Sequence, residues 1–145
     1  SNTNVNPLRL LGRLYTMQEE YDKAVSYLDA AVAIRPDTRF LHKMLAIALY
    51  GSGQLPATRT HLQWLAEASP SDFSAWRQYG FILLEMGEVE SAREVLERAR
   101  ALHPDSVKAA RSFADRCNLL AQKLAAEGRL ELSLVCNQLA ESYAQ

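Results

Sequence analysis

The sequence predicts an all-α chain of stacked antiparallel helix pairs, an α-solenoid of about eight helices. Three observations carry that prediction. Pro36, Pro70 and Pro104 stand 34 residues apart, each in a similar phrase: AIRPDT, AEASPSD and ALHPDS. The 145 residues hold only six Gly and five Pro, which leaves little of the chain for loops. Between the prolines the apolar residues recur at helical spacing, as in Tyr21, Ala24, Val25, Leu28, Ala31 and Val32, or Val89, Ala92, Val95, Leu96 and Ala99.

The elements follow in order. A first helix is expected over 6–17 and a second over 20–34, the latter stopping short of Pro36 because proline cannot continue a helix. The third (38–51) and fourth (54–68) are parted by Gly53, the fifth (72–86) and sixth (88–102) by Gly87. The first pair has Glu19 at the matching place, so its turn must manage without glycine. After each proline comes an Asp or Ser able to accept from the free N–H groups of the following helix. The seventh (105–127) and eighth (129–144) break the rhythm. The phrase AAEGRLE resembles the earlier EMGEVE but arrives seven residues late, so the seventh helix is about two turns longer than the other first helices.

The period also fixes the packing positions. With units beginning at Val5, Arg39 and Phe73, position seven is Leu11, Leu45 and Tyr79, and position eight is Gly12, Ala46 and Gly80. Position eleven is Tyr15, Leu49 and Leu83; position twenty is Ala24, Thr58 and Ala92. Position twenty-four is Leu28, Leu62 and Leu96, and position twenty-seven is Ala31, Leu65 and Ala99. Small residues at eight and twenty let two helices approach closely, and the large ones fill the space beside that contact. This pattern resembles the tetratricopeptide repeat family, most closely in the third unit: Trp76, Tyr79, Gly80, Leu83, Ala92, Leu96, Ala99 and Pro104. The second unit departs furthest, with His42 at position four, Thr58 at twenty and Leu65 at twenty-seven. The resemblance implies a right-handed solenoid. The expected domain order is a tag remnant or flexible start over 1–4, three repeats over 5–38, 39–72 and 73–106, and a divergent hairpin with an extended first helix over 107–145.

In this family the first helices of the hairpins form the concave surface, which positions two, five, nine and twelve usually face. That carries the binding role onto Asn6, Arg9, Arg13 and Thr16, then Phe40, Lys43, Ile47 and Tyr50. It continues to Ser74, Arg77, Phe81 and Leu84, then Lys108, Arg111, Asp115 and Asn118. The set has six cations against one acid, over an apolar floor of Phe40, Ile47, Tyr50, Phe81 and Leu84. Such a groove suits a protein or peptide carrying acidic and apolar residues. The clamp that related repeats use on acidic chaperone tails is missing its pattern here. Arg9 and Arg13 stand at five and nine of the first unit, Met44 at six of the second, and Ser74 and Gln78 at two and six of the third.

The last helix carries apolar residues on more than one face, including Leu132, Val135, Leu139 and Tyr143, which makes it a candidate surface for a further repeat, a partner or a second copy. The alternative is that the long seventh helix covers it.

Other classes are disfavoured. The formal net charge of −1 gives no nucleic-acid footprint, and no apolar run reaches the about 20 residues of a membrane span. His42, His61 and His103 are expected on different faces of different hairpins, without metal-ligand spacing, and His42 is expected to be a packing residue. Neither a catalytic set, a phosphate loop nor a cofactor motif is found. Cys117 and Cys136 are expected as buried thiols, with a bridge open if they face each other on neighbouring helices. The Ser1-Asn2 start suggests a cleavage scar on an excised piece, and no leader is seen, so a cytoplasmic location is expected. Three functions fit: an interaction module of a larger bacterial protein, a small chaperone resembling those of type III secretion, or a scaffolding segment of an enzyme or polysaccharide-export machine.

Overall fold

The computed structural model describes residues 4–144, so the Ser1-Asn2 pair lies outside the described residues. Among these the chain forms eight helices: α1 (Asn6–Met17), α2 (Tyr21–Ile34), α3 (Arg39–Gly51), α4 (Leu55–Ala68), α5 (Phe73–Glu85), α6 (Val89–Leu102), α7 (Val107–Ala126) and α8 (Leu130–Ala144). Every boundary falls within two residues of the sequence expectation. Successive helices pack as hairpins, α1 on α2, α3 on α4, α5 on α6 and α7 on α8. The chain divides between Pro70 and Ser71 into two compact units.

The four hairpin turns share one backbone solution. Gly53, Gly87 and Gly128 take φ of 80°, 85° and 80°, and Glu19 takes 61°. The N–H that follows reaches back to the carbonyl five residues earlier, as from Glu20 to Tyr15 and from Arg129 to Leu124, at 2.9 and 2.8 Å. This closes the helix end in a Schellman arrangement that favours glycine, which the first turn forms with glutamate instead. The proline phrases cap as their sequence suggests at Asp72 and Ser106, which accept from the N–H of Ala75 and Ala109. At the equivalent Thr38 no side-chain cap bond forms.

The first unit is built around Ala24, Leu28, Leu45, Ala48 and Leu49, with Tyr15, Val25, Val32, Met44 and Ala57 packed against them. Thr58, at a position where the family prefers Ala, is buried and spends its hydroxyl on the Gln54 carbonyl at 2.8 Å. The expectation that the histidines lie apart is corrected here. His42 on α3 and His61 on α4 face each other across one hairpin with their Nδ1 atoms 2.9 Å apart. His42 Nε2 donates to the Pro36 carbonyl at 2.6 Å, which leaves its Nδ1 to accept from His61. His42 also stacks on Trp64, with ring centroids 3.9 Å apart. Burial, then the neighbouring His42, hold the His61 pKa below the usual imidazole value, against a smaller upward pull from Asp29.

A lowered folded pKa means that the unfolded chain binds the proton more readily. The stabilising effect is therefore complete above about pH 6.5 and is lost as pH falls through the folded value. Urea midpoints between pH 7.5 and 5 should drop for the natural chain and drop less for His61→Gln; equal slopes would refute the assignment.

The second unit centres on Phe113 of α7. Its ring meets Phe73, Phe81 and Tyr143, at centroid distances of 5.6, 5.7 and 5.3 Å. Helix α7 runs for 20 residues, where α1, α3 and α5 have 12 or 13. Ser133 of α8 ties the last hairpin together by donating to the Ala121 carbonyl at 2.7 Å. Cys117 and Cys136 are free, buried thiols. Burial pushes the first up to about 12 and the second to about 11, so neither presents a reactive thiolate. No helix among the described residues is long and apolar enough to cross a membrane.

Candidate functional site

Helices α1 and α3 contain Arg9, Arg13, Arg39 and Lys43 and no acidic residue. Arg39 is turned to structural use, since its guanidinium donates to the Leu65 carbonyl at 3.0 Å and so closes the end of α4. Arg9, Arg13 and Lys43 are exposed and form no ion pair or hydrogen bond among the described residues. Helical spacing sets Arg9 and Arg13 on one stripe of α1, and Phe40, Lys43, Ile47 and Tyr50 on one stripe of α3. The two helices pack beside each other within the first unit. Phe40 and Ile47 are 47% and 54% exposed, and Tyr50 is half-buried. Large apolar side chains exposed between unpaired cations make this face a candidate binding surface.

A shallow pocket opens at one end of this face, lined by Asn6, Arg9, Arg35, Thr38, Phe40 and Leu41. Arg35 was missed by the repeat-position rule because it sits between α2 and α3, outside the first helices. Its place just before Pro36, five residues from Phe40, was the available signal. It too forms no ion pair or side-chain hydrogen bond among the described residues.

In the second unit, taken by itself, the repeat positions do not all give exposed residues. Phe81 and Leu84 were expected to form part of the groove floor, yet they are only 4% and 0% exposed. For Phe81 the physical reason is contact with Phe113 and Arg116 of α7. Arg116 lies over the Phe81 ring at 5.9 Å, and two turns further on Lys123 pairs with the buried Glu85 at 2.7 Å. Arg77 is likewise no free cation. It is half-buried, and its Nη1 donates to Ser112 Oγ at 3.0 Å. Burial, then Arg116, lower its pKa, and its buried Nε has no hydrogen-bond partner. Lys108 and Arg111 do stay exposed on α7, beside exposed Asp115 and Asn118.

The surface expected on the last helix also needs correction. Leu139 and Tyr143 are buried, and Leu132 and Val135 are half-buried. Tyr143 is held edge-on by Phe113, with Arg100 of α6 over its ring at 5.1 Å. The apolar residues that α8 does turn outward are Leu130 and Leu134. Among the described residues no three His, Cys, Asp or Glu side chains gather as a metal set.

Known proteins give a consistent likeness. The tetratricopeptide repeat family pattern matches residues 5–48 and 73–116, together more than half of the chain. A human relative, protein O-mannosyl-transferase TMTC1, is 30% identical over 130 residues; the match covers 87% of this chain but 14% of the human protein's length. Among solved structures, YrrB, described as a tetratricopeptide repeat protein with an unusual peptide-binding site, superposes with a TM-score of 0.69 at 20% identity, covering 97% of this chain and 69% of that one. MamA from Desulfovibrio magneticus RS-1 gives 0.68 at 17% identity, covering 98% and 76%. The first repeat domain of Spaghetti (RPAP3), bound to the HSP90 peptide SRMEEVD, gives 0.65 at 19% identity, covering 86% and 96%. At these identities the structural likeness speaks to fold alone. With its 34-residue period, its hairpins and the family pattern matched twice, the chain belongs to the tetratricopeptide repeat family.

Proposed function

We propose that this chain is a non-catalytic binding scaffold whose first unit holds a protein or peptide carrying acidic and apolar residues on the shared face of α1 and α3. The observation that carries the reading is the unpaired set Arg9, Arg13 and Lys43 beside exposed Phe40 and Ile47, on two helices without an acid. Arg35 extends the positive charge into the pocket at the end of that face. Cations steer and orient an acidic partner, while the buried apolar contacts supply the affinity. Solved relatives in the fold bind peptides: YrrB has a peptide-binding site, and the RPAP3 repeat domain holds a peptide with two Glu and an Asp. Lys108 and Arg111 form a separate cationic strip on α7 that serves the same kind of partner.

Peptide-display selection on the immobilised chain should return sequences that combine acidic and large apolar residues. Arg13→Glu with Lys43→Glu should weaken those peptides at least tenfold, or roughly 1.4 kcal/mol, with the melting curve unchanged. Selected peptides without acidic enrichment, or equal affinity in the double variant, would overturn the reading.

A further inference from the structure

Helix α1 leaves Leu10, Leu14 and Met17 at 53%, 51% and 71% exposure. Their spacing of four and three residues puts them on one stripe. The repeat shows what such a stripe is for. One period after Leu14 stands Ala48 on α3, fully buried in the cluster on which Val25 and Val32 of α2 pack. On α3 that position is therefore covered by the second helix of the hairpin before it. On α1 no described helix covers it.

Helix α8 has the opposite vacancy. It turns Leu130 and Leu134 outward, at 67% and 58% exposure. Leu134 lies six residues after Gly128, as Val25 lies six residues after Glu19, and Gly128 and Glu19 are the matching left-handed turn residues. Leu134 thus holds the place of Val25, which packs on the following helix, yet Leu134 itself is left in solvent.

We propose that a second copy of this chain fills both vacancies: α8 of one copy packs on α1 of the next, repeating between molecules the way α2 packs on α3. Charge selects this pairing. Helix α1 carries Arg9 and Arg13 beside Leu10 and Leu14, with no acid. Helix α8 carries Glu131 and Glu141, with no base. Joining α1 to α1 would oppose arginines, and joining α8 to α8 would oppose glutamates, so the symmetric dimers are disfavoured. The contact is therefore head-to-tail and grows with concentration into rings or open chains. Leu14 and Leu134 are both bulkier than Ala48 and Val25, so the intermolecular helices stand further apart than α2 and α3.

The test is sedimentation of the full chain over a range of concentrations. The natural protein should show an average mass that climbs above the monomer. Leu14→Glu and Leu134→Lys should each remain monomeric, with unchanged helicity and melting because both sites are exposed. Each variant keeps one intact half, α8 in the first and α1 in the second. An equimolar mixture should therefore form a dimer of twice the monomer mass and nothing larger. A natural chain that stays monomeric throughout would overturn the proposal and leave both faces to a different protein or a further hairpin. Association of the natural chain with no dimer in the mixture would also overturn it, in favour of a symmetric contact. If Leu14→Glu loses helicity, Met17→Glu replaces it in the same mixture.

Discussion

Truncating Phe113 to alanine is expected to cost about 4 kcal/mol. The ring is fully buried and is the common neighbour of Phe73, Phe81 and Tyr143. Those three aromatics come from α5 and α8, so the cavity would open where both helices meet α7. Rigid rings collapse poorly into such a space, which places the cost at the upper part of the range for a lost aromatic. Leu119, on the same helix but 58% exposed, is the control, and its truncation should change stability by less than about 0.5 kcal/mol. Urea denaturation decides: a small loss for Phe113→Ala, comparable to that of Leu119→Ala, would mean that the aromatic cluster is not the unit's core.

That cluster also marks where sequence reasoning reached its limit. The helices and their turns were legible because proline, glycine and a 34-residue apolar period are local signals. The exposure of Arg9, Arg13, Phe40, Lys43 and Ile47 on α1 and α3 was legible for a related reason: position within a repeat fixes which way a side chain points while the neighbouring helices are regular. At α5 the neighbour is not regular. The late Gly128 announced two extra turns of α7, but not that they would bring Lys123 onto the buried Glu85, nor that Phe113 and Arg116 earlier on the helix would meet Phe81. Arg77 was read as a free groove cation because its acceptor, Ser112, is 35 residues away on that same long helix. The His42–His61 contact was missed although the pairing of α3 with α4 was read, because the facing register of two helices is set by packing across 19 residues rather than by either helix alone. For Leu139 and Tyr143 the broad apolar pattern of the eighth helix leaves a partner surface and cover by the long seventh helix both open; α6 and α7 cover that side, and Leu130 and Leu134 are what remains.

The burial of Phe81 and Leu84, with Arg77 half-buried, leaves the proposed binding to rest on the first unit. Reversing Arg77 would disturb the α5–α7 contact as well as the surface charge, so a loss of binding in that variant would be ambiguous. Arg13 and Lys43 are exposed and hold no other element of the chain in place, which is why the affinity test rests on them.

Replacing Gly80 with leucine is expected to cost about 3 kcal/mol, because position eight is where two helices of a hairpin touch. A Cβ placed on Gly80 would stand 2.6 Å from Leu96 Cγ and 3.3 Å from the Leu96 backbone N. The side chain can turn aside, but the backbone cannot move without opening α5 from α6. Gly12 differs in this respect, since the atoms nearest its Cβ all belong to the Leu28 side chain, with Cγ at 2.5 Å. Alanine at Gly80 should be milder than leucine, because it adds only the Cβ, while its helix propensity recovers about 1 kcal/mol relative to glycine. The sequence offers a precedent at the same repeat position in Ala46. A double-mutant cycle isolates the contact. Leu96→Ala alone should cost about 3 kcal/mol as a buried truncation. In the Gly80→Leu background it should cost clearly less, because the new leucine fills the space that Leu96 vacates. Strictly additive losses would show that the two positions do not crowd each other, and that the close approach of α5 and α6 is held by something other than the missing side chain at Gly80.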